Sequence, residues 1–360
     1  MLATPLLSPW GRLRLLGERF VPKRSTAAGE DESLQHFAVR RLGREAFERL
    51  VQPLAAGIWT ADPARLSMAA ACPEFLAMER DQGSLWAGER QRLAGQAGAA
   101  EGTGARYGQF VTFTSGMERL PTRLVEHLRD RGVEFVQASA TRLRRSPGRG
   151  GWQIELAAPA AAALHATAVV VAAPARSAAH LLDDVDAALA ADLAGIEYAG
   201  SAIVSLGFAR EDVSHPLDAA GLVVPRCAGR RILAVSFSSA KFPGRAPPGC
   251  VLMRVFIGGA LDPQAVHLGD DALAELALRD VGELLGARGK PRLVQIDRWE
   301  SSMPQYHLGH AARVARIDAA LRRHAGLALA GAAYTGVGIP QVIASGQAAA
   351  RAVGAALTAG

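Results

Sequence analysis

The residues best placed to do chemistry in this chain are glycines, aromatics and backbone amides, not paired charges. The densest candidate is the run Leu327-Ala-Leu-Ala-Gly-Ala-Ala-Tyr-Thr-Gly-Val-Gly-Ile-Pro-Gln-Val-Ile-Ala-Ser-Gly346. Its pattern predicts a short apolar strand ending at Gly331, a glycine-rich loop, and a helix starting near Pro340. Gly336 and Gly338 would let a ligand approach the backbone, and free N–H groups at the helix start suit an anionic or electron-rich group. On residue types alone this is either a ligand site at a helix terminus or an ordinary strand-to-helix connection. The usual dinucleotide signature, GxGxxG between a strand and a helix, is absent. Gly102-Thr-Gly104 begins one, but Tyr107 holds the third glycine's place and no strand is expected before it. His307 and His310, three residues apart, could suggest a metal pair but read better as loop or surface histidines without carboxylate neighbours. No residue stands out as a general base, so no catalytic acid, base or metal ligand is assigned. Cys72, Cys227 and Cys250 are an odd count with no CxxC, which argues against a disulfide framework or a zinc site and fits a reducing compartment.

Several elements must position these residues. Leu2 to Phe20 sets Leu6, Leu7, Trp10, Leu13, Leu16 and Phe20 among Arg12, Arg14 and Arg19, an amphipathic helix lying either on a membrane or on the rest of the protein. Asp31-Glu32-Ser33 starts a helix that Pro53 and Gly57 interrupt, Ser67 to Met78 is helical with a break at Pro73, and Gly88 to Gly108 reads as a loose connection. Phe110–Phe113 is expected as a strand, Leu120–Arg131 as a helix and Gly132–Val136 as a strand. Thr141–Arg145 and Trp152–Leu156 form a hairpin around a Pro/Gly turn, and Val169–Val171 is a strand of the fully buried type. Ala202–Phe208, Gly221–Val224, Ile232–Phe237 and Val251–Ile257 suggest an antiparallel sheet. Asp270–Leu285 is a helix, Arg292–Arg298 a strand, Val314–His324 a helix, Leu327–Ala330 a strand, and Ile339–Leu357 the closing helix.

Composition bounds the class. The chain has 360 residues, 49% hydrophobic and 21% charged, which excludes disorder and collagen-like structure. The formal charge of +6 is carried almost wholly by arginine, with charges of both signs spread along the chain. That balance selects no partner by itself. No segment qualifies as a transmembrane helix, and Met1 to Trp10 lacks the basic start and small-residue cleavage site of an export signal.

Leu329-Ala-Gly-Ala-Ala-Tyr-Thr-Gly-Val-Gly-Ile-Pro with Ile343-Ala-Ser-Gly closely resembles the C-terminal flavin motif of the protoporphyrinogen oxidase family, FAD enzymes of the flavin amine oxidase type. Collinear blocks agree over nearly the whole chain. They include Glu32-Ser-Leu-Gln-His-Phe, Val51 to Pro63, Phe113-Thr-Ser-Gly-Met117, Ala168 to Ala175, Phe256-Ile-Gly-Gly259, and Trp299 with Met303-Pro-Gln-Tyr306. The resemblance implies oxidation of protoporphyrinogen IX to protoporphyrin IX in heme biosynthesis, each two-electron step passing hydride to flavin N5 with oxygen or another acceptor taking the electrons. Coproporphyrinogen III oxidation, a carotenoid desaturase-like activity, and a non-catalytic porphyrin-binding remnant are the alternatives.

Carried over residue by residue, the flavin contacts implied are Val171, Ala172 and Ala173 near the adenine, Trp299 beside the isoalloxazine, and Gly331, Gly338, Ile339 and Pro340 at the ring. The porphyrinogen cavity implied takes Gly57, Ile58, Trp59 and Thr60, the strand positions Val223, Val224, Val235 and Ser236, and Phe256. The fold implied is mixed α/β (α+β): an incomplete FAD/NAD(P)-binding Rossmann-like domain, an antiparallel-sheet substrate domain and a helical region. Its expected boundaries are 1–105 for the helical, membrane-contacting region with part of the cavity, and 106–124 for a strand and turn of the substrate domain. Residues 125–180 would belong to the FAD-binding domain, 181–290 to the substrate sheet, and 291–360 to the rest of the FAD-binding domain. The expected partners are a porphyrinogen and no nucleic acid, with peripheral membrane contact and a homodimer left open; the expected location is cytoplasmic or on the inner face of the membrane. The family opens on a strand, a GxGxxG turn and an acidic ribose ligand, a unit of about 30 residues. This unit does not precede the first matching segment here, so the expectation is a chain that has lost its N-terminus, as if translation were assigned from an internal methionine.

Overall fold

The computed structural model describes residues 5–24, 30–96, 111–147, 150–157 and 163–358. The incomplete glycine pattern at 102–107 lies outside them. Strands β1 (Ala140–Arg145), β2 (Trp152–Leu156) and β3 (Leu164–Ala166) form an antiparallel sheet in that order. β4 (Val169–Val171) runs parallel to the last strand of the chain, at Leu327–Leu329. The main sheet holds β5 (Tyr198–Ala209), β6 (Gly221–Val223), β7 (Ile232–Ser236), β8 (Cys250–Gly258) and β9 (Leu293–Pro304), all antiparallel, in the order β6-β7-β8-β5-β9. The Leu327–Leu329 strand is β10.

Alternation builds the main sheet. In β8, Val251, Met253, Val255 and Ile257 are buried, whereas Leu252, Arg254 and Phe256 stand half-buried on the other face. The buried face meets helix Asp270–Leu285 through Leu273, Leu276, Ala277, Val281 and Leu285. That helix stops at Gly286, whose left-handed φ of 61° costs a glycine little. A second core joins Trp152 and Leu143 of the small sheet to helices Ala175–Leu182, Ala187–Ala194 and His310–Leu321. A third lies in the helical region, where Leu34, Phe37, Leu66 and Met68 enclose Tyr306. Beside it Arg41 is fully buried and pairs with Glu18 and Glu79, while Arg40 bridges Glu79 at 2.6 Å and Glu32 at 3.0 Å.

Several elements differ from the sequence expectation. Pro53 and Gly57 do not interrupt a helix: Gln52–Trp59 runs through both and continues a π-helical turn at Phe47–Val51, so the regular hydrogen-bond ladder is already opened where Pro53 lacks an N–H. Residues 111–113 and 133–136 form no strand, and Val111, Val133, Phe135 and Val136 are exposed, because no other described strand pairs with them. Helix Leu85–Gln96 replaces the first part of the expected loose connection, and the rest of that stretch, 97–108, is outside the described residues. β4 is less buried than its apolar run suggested: among the described residues it has one neighbouring strand, and Val170 is 38% exposed. β9 extends past 298 to Pro304 and belongs to the main sheet, beyond the expected boundary at 290. Near the N-terminus, Ser8 caps helix Pro9–Leu16, followed by a turn at Gly17–Phe20. Its apolar face does not pack on the described residues, since Trp10 is 79% and Phe20 75% exposed.

Candidate active site

Two parallel strands, β4 and β10, end side by side with open space beside the turn that leaves β10. Leu329 of β10 pairs with Val171 of β4, and the Ala330 N–H continues the ladder by donating to the Val171 carbonyl at 3.1 Å. The chain leaves β4 through Ala172 and Ala173 and leaves β10 through Gly331. The carboxyl ends of parallel strands are where open α/β sheets hold ligands. Gly331 has φ of 135°, and a Cβ added there would meet nothing within 4 Å, so this turn borders open space. Its N–H donates to Ser345 Oγ at 3.1 Å, tying the turn to helix Ile339–Thr358. Gly338 leads into that helix, and Ile339 and Pro340 are exposed in its first turn.

Tyr306 fixes the loop between strand and helix. Its hydroxyl donates to the Ala332 carbonyl at 2.6 Å and accepts from the Gly336 N–H at 2.8 Å, so one oxygen spans the loop. The ring stacks on His310 at 4.0 Å and meets Trp59 at 5.1 Å. Burial pushes the phenol up to about 12, which keeps it protonated as this pair of bonds requires. Burial also lowers the His310 pKa, and a neutral ring with Nε2–H donates to the Tyr334 carbonyl at 3.1 Å. The expectation of two surface histidines is therefore corrected. His310 is buried, because an aromatic ring and a carbonyl receive it, and His307 has Glu197 Oε1 at 3.5 Å.

The same aromatic cluster brings the Gly57–Thr60 turn to the loop. Gln305 Nε2 donates to the Trp59 carbonyl at 3.2 Å, and the Ala260 N–H donates to the Thr60 carbonyl at 2.7 Å. Thr60 is left-handed, with φ of 47°, and a Cβ on Gly259 would lie 3.0 Å from its carbonyl oxygen. Gly57 faces Val223, where an added Cβ would stand 3.6 Å from Cγ1; Ile58 is exposed. Beyond this turn lies the open face of the main sheet. Ala234 of β7 opposes Phe256 of β8, which opposes Ile203 of β5, which opposes Asp297 of β9. Two residues further along β9 on this face is Trp299, 54% exposed, and Ser301 beyond it has φ of 45° beside an irregular register. Strained backbone at both Thr60 and Ser301 is a common mark of functional sites.

Not every expected cavity residue reaches this face. Val224 and Val235 are buried in the core on the helix side of the sheet, because alternation turns them away, whereas their neighbours Val223 and Ser236 fall on the open side. Tyr306 was visible in the sequence only as the end of the Met303–Tyr306 block; its double bond to the loop depends on tertiary contact.

A flavin requires backbone donors beside open space, and the residues here are of the kind that would hold one. Gly331 borders open space, the first N–H groups of helix Ile339–Thr358 have no intrahelical acceptor, and the exposed Trp299 stands on the open sheet face. Among the described residues there is no strand–GxGxxG–helix turn, and the pyrophosphate is assigned to none of them.

The chain is similar to known proteins along nearly its whole length. The flavin containing amine oxidoreductase profile matches residues 5–354. Coproporphyrinogen III oxidase of Bacillus subtilis is 32% identical over 348 residues, covering 96% of this chain and 72% of that protein. The chloroplastic protoporphyrinogen oxidase of Nicotiana tabacum is 27% identical, covering 94% of this chain and 64% of its own length. A crystal structure from Exiguobacterium, named as a candidate protoporphyrinogen oxidase, superposes with a TM-score of 0.78 at 27% identity, covering 99% of this chain and 74% of that one. Cyclohexylamine oxidase from Brevibacterium oxydans shares the fold, with a TM-score of 0.64 at 14% identity and coverage of 99% and 77%. A mixed α/β fold and a match across nearly the whole chain lead to one assignment: the chain belongs to the flavin containing amine oxidoreductase family, FAD-dependent oxidoreductases.

Proposed function

We propose that this protein oxidises a porphyrinogen to the corresponding porphyrin, with protoporphyrinogen IX as the substrate and coproporphyrinogen III as the alternative. The observation that carries the reading is the continuity of an apolar sheet face, Ala234–Phe256–Ile203, with the turn at Gly57–Thr60 and, through Tyr306, with the loop at 331–338. A flat macrocycle needs one apolar wall and one reactive edge. In this reading Phe256 and Val223 form the wall, and Gly57, Ile58, Trp59 and Thr60 close its rim. Trp299, Gly331, Gly338, Ile339 and Pro340 bound the flavin ring, and Val171, Ala172 and Ala173 line the adenine end. FAD, when bound, supplies the two-electron acceptor. The protein's own part is orientation and exclusion of water; Tyr306, neutral and doubly bonded, holds the loop rather than moving a proton. The names of the relatives support the reaction class, since both porphyrinogen oxidases occur among them.

The test is turnover of the purified chain supplied with FAD, followed by porphyrin fluorescence. Emission should grow with protein concentration on protoporphyrinogen IX, and more slowly on coproporphyrinogen III. A faster rate on the latter would reverse the substrate order, and no protein-dependent rate on either would refute the reading. Peripheral contact with the inner face of a membrane belongs to the same proposal, supported by the exposed Trp10, Leu13 and Phe20 beside Arg19. No helix among the described residues is long and apolar enough to cross a membrane.

A further inference from the structure

The open face of the main sheet carries two adjacent transverse rows of opposite character. The first, Ala234–Phe256–Ile203–Asp297, is apolar across β7, β8 and β5. The second lies two residues further along each strand, about 7 Å away. There Ser236 of β7 opposes Arg254 of β8, Arg254 opposes Ser205 of β5, and Ser205 opposes Gln295 of β9. A cation thus sits in the middle of four polar side chains, flanked on both sides by hydroxyls.

Arg254 differs from its neighbours. Arg230 pairs with Asp280 and Glu283, Arg231 with Asp262, and Arg298 with Asp270. Arg254 makes no ion pair among the described residues; its guanidinium lies over the Phe256 ring, 5.7 Å from guanidinium carbon to centroid. The side chain is half-buried and leans along the open face toward the apolar row. A partly desolvated guanidinium without a carboxylate is unfavourable until an anion meets it, and its fork is shaped for a carboxylate.

We propose that Arg254, with Ser236 and Ser205 beside it, binds a carboxylate of a ligand whose apolar body lies over Phe256. The ligand class is a macrocycle with acid groups gathered on one edge, as the propionates of a porphyrinogen are, so this inference rests on the function proposed above and adds an orientation to it. Asp297 refines that orientation. Its carboxylate, held by Gln295 Nε2 at 3.2 Å, occupies the β9 end of the apolar row and repels a second anion there. The acid edge therefore points toward β7 and β8, and the ring's uncharged edge toward Trp299.

The experiment is a binding titration with protoporphyrin IX and with its dimethyl ester, read by porphyrin absorbance and tryptophan quenching, on the full chain and on Arg254→Gln and Arg254→Lys. Thermal melts of the three proteins establish that the fold is retained. The wild type should prefer the diacid over the ester by about tenfold, the value of one charge-assisted contact. Arg254→Gln should abolish the preference without weakening the ester, and Arg254→Lys should keep part of it. A preference undiminished in Arg254→Gln, or diacid and ester bound alike by the wild type, overturns the assignment of Arg254 while leaving the porphyrinogen reading intact. Failure of the wild type to bind either compound overturns both. If either variant does not melt cooperatively, Ser236→Ala takes its place and should weaken the diacid alone; an unchanged diacid affinity then overturns the proposal.

Discussion

At the residue scale, one hydroxyl sets the shape of the loop between β10 and helix Ile339–Thr358. Tyr306 is fully buried and bonds both the Ala332 carbonyl and the Gly336 N–H. Tyr306→Phe keeps the ring contacts with Trp59 and His310 but leaves two backbone groups without partners. That should cost about 1–3 kcal/mol in denaturant unfolding and speed amide exchange at Gly336. A variant as stable as the wild type, with unchanged exchange, would show that the loop holds itself. Asp186 offers a pH readout. It caps helix Ala187–Ala194, and the Arg323 guanidinium, with the Leu189 amide and His324, holds its carboxyl well below the usual range. A carboxyl depressed in the fold contributes stability above its unfolded pKa of about 3.9 and loses it as pH falls toward the folded value. Asp186→Asn keeps the cap and removes the charge. The Tm gap between wild type and variant should therefore narrow below about pH 4; a gap constant to lower pH would assign the acid sensitivity elsewhere.

At the element scale, legibility followed the source of each element's stability. Helix Asp270–Leu285 and strands β5 to β8 were readable because alternation and helical spacing are written locally and their boundaries carry Gly, Pro or Ser. Gly132–Val136 looked equally like a strand, yet a strand exists only with a neighbour, and composition cannot supply one. Pro53 was misleading for the opposite reason: its effect depends on the helix around it, and here it follows a π-helical turn at Phe47–Val51 that opens the ladder at its position. The candidate site divides the same way. Gly331, Gly338 and Phe256 were proposed from a motif, whereas which of Val223 and Val224 faces the open side of the sheet is a matter of register. Shifting by one residue exchanges core for open face. The pairing of Ser236, Arg254 and Ser205 is a cross-strand relation that no single segment contains.

At the scale of the whole molecule, exposed apolar surface is the conspicuous property. Trp10, Leu13 and Phe20 form one patch, and Trp299, Ile339 and Ile343 are exposed elsewhere. Patches of this kind mark contact with a partner or a membrane and otherwise drive association. The purified chain should scatter light increasingly with concentration, and the double variant Trp10→Ser with Phe20→Ser should reduce that scattering severalfold at equal Tm. Unchanged scattering would move the source of association to Trp299, Ile339 and Ile343. The parallel pairing of β4 with β10 has a consequence in time. Leu327 must find Val169 about 160 residues earlier in the chain, and closing so long a loop is entropically costly and slow. During synthesis the main sheet and its helix can assemble while β4 still waits for a neighbour. The pairing at the β4–β10 edge, and with it any site built there, can therefore be completed only after the C-terminal strand has left the ribosome.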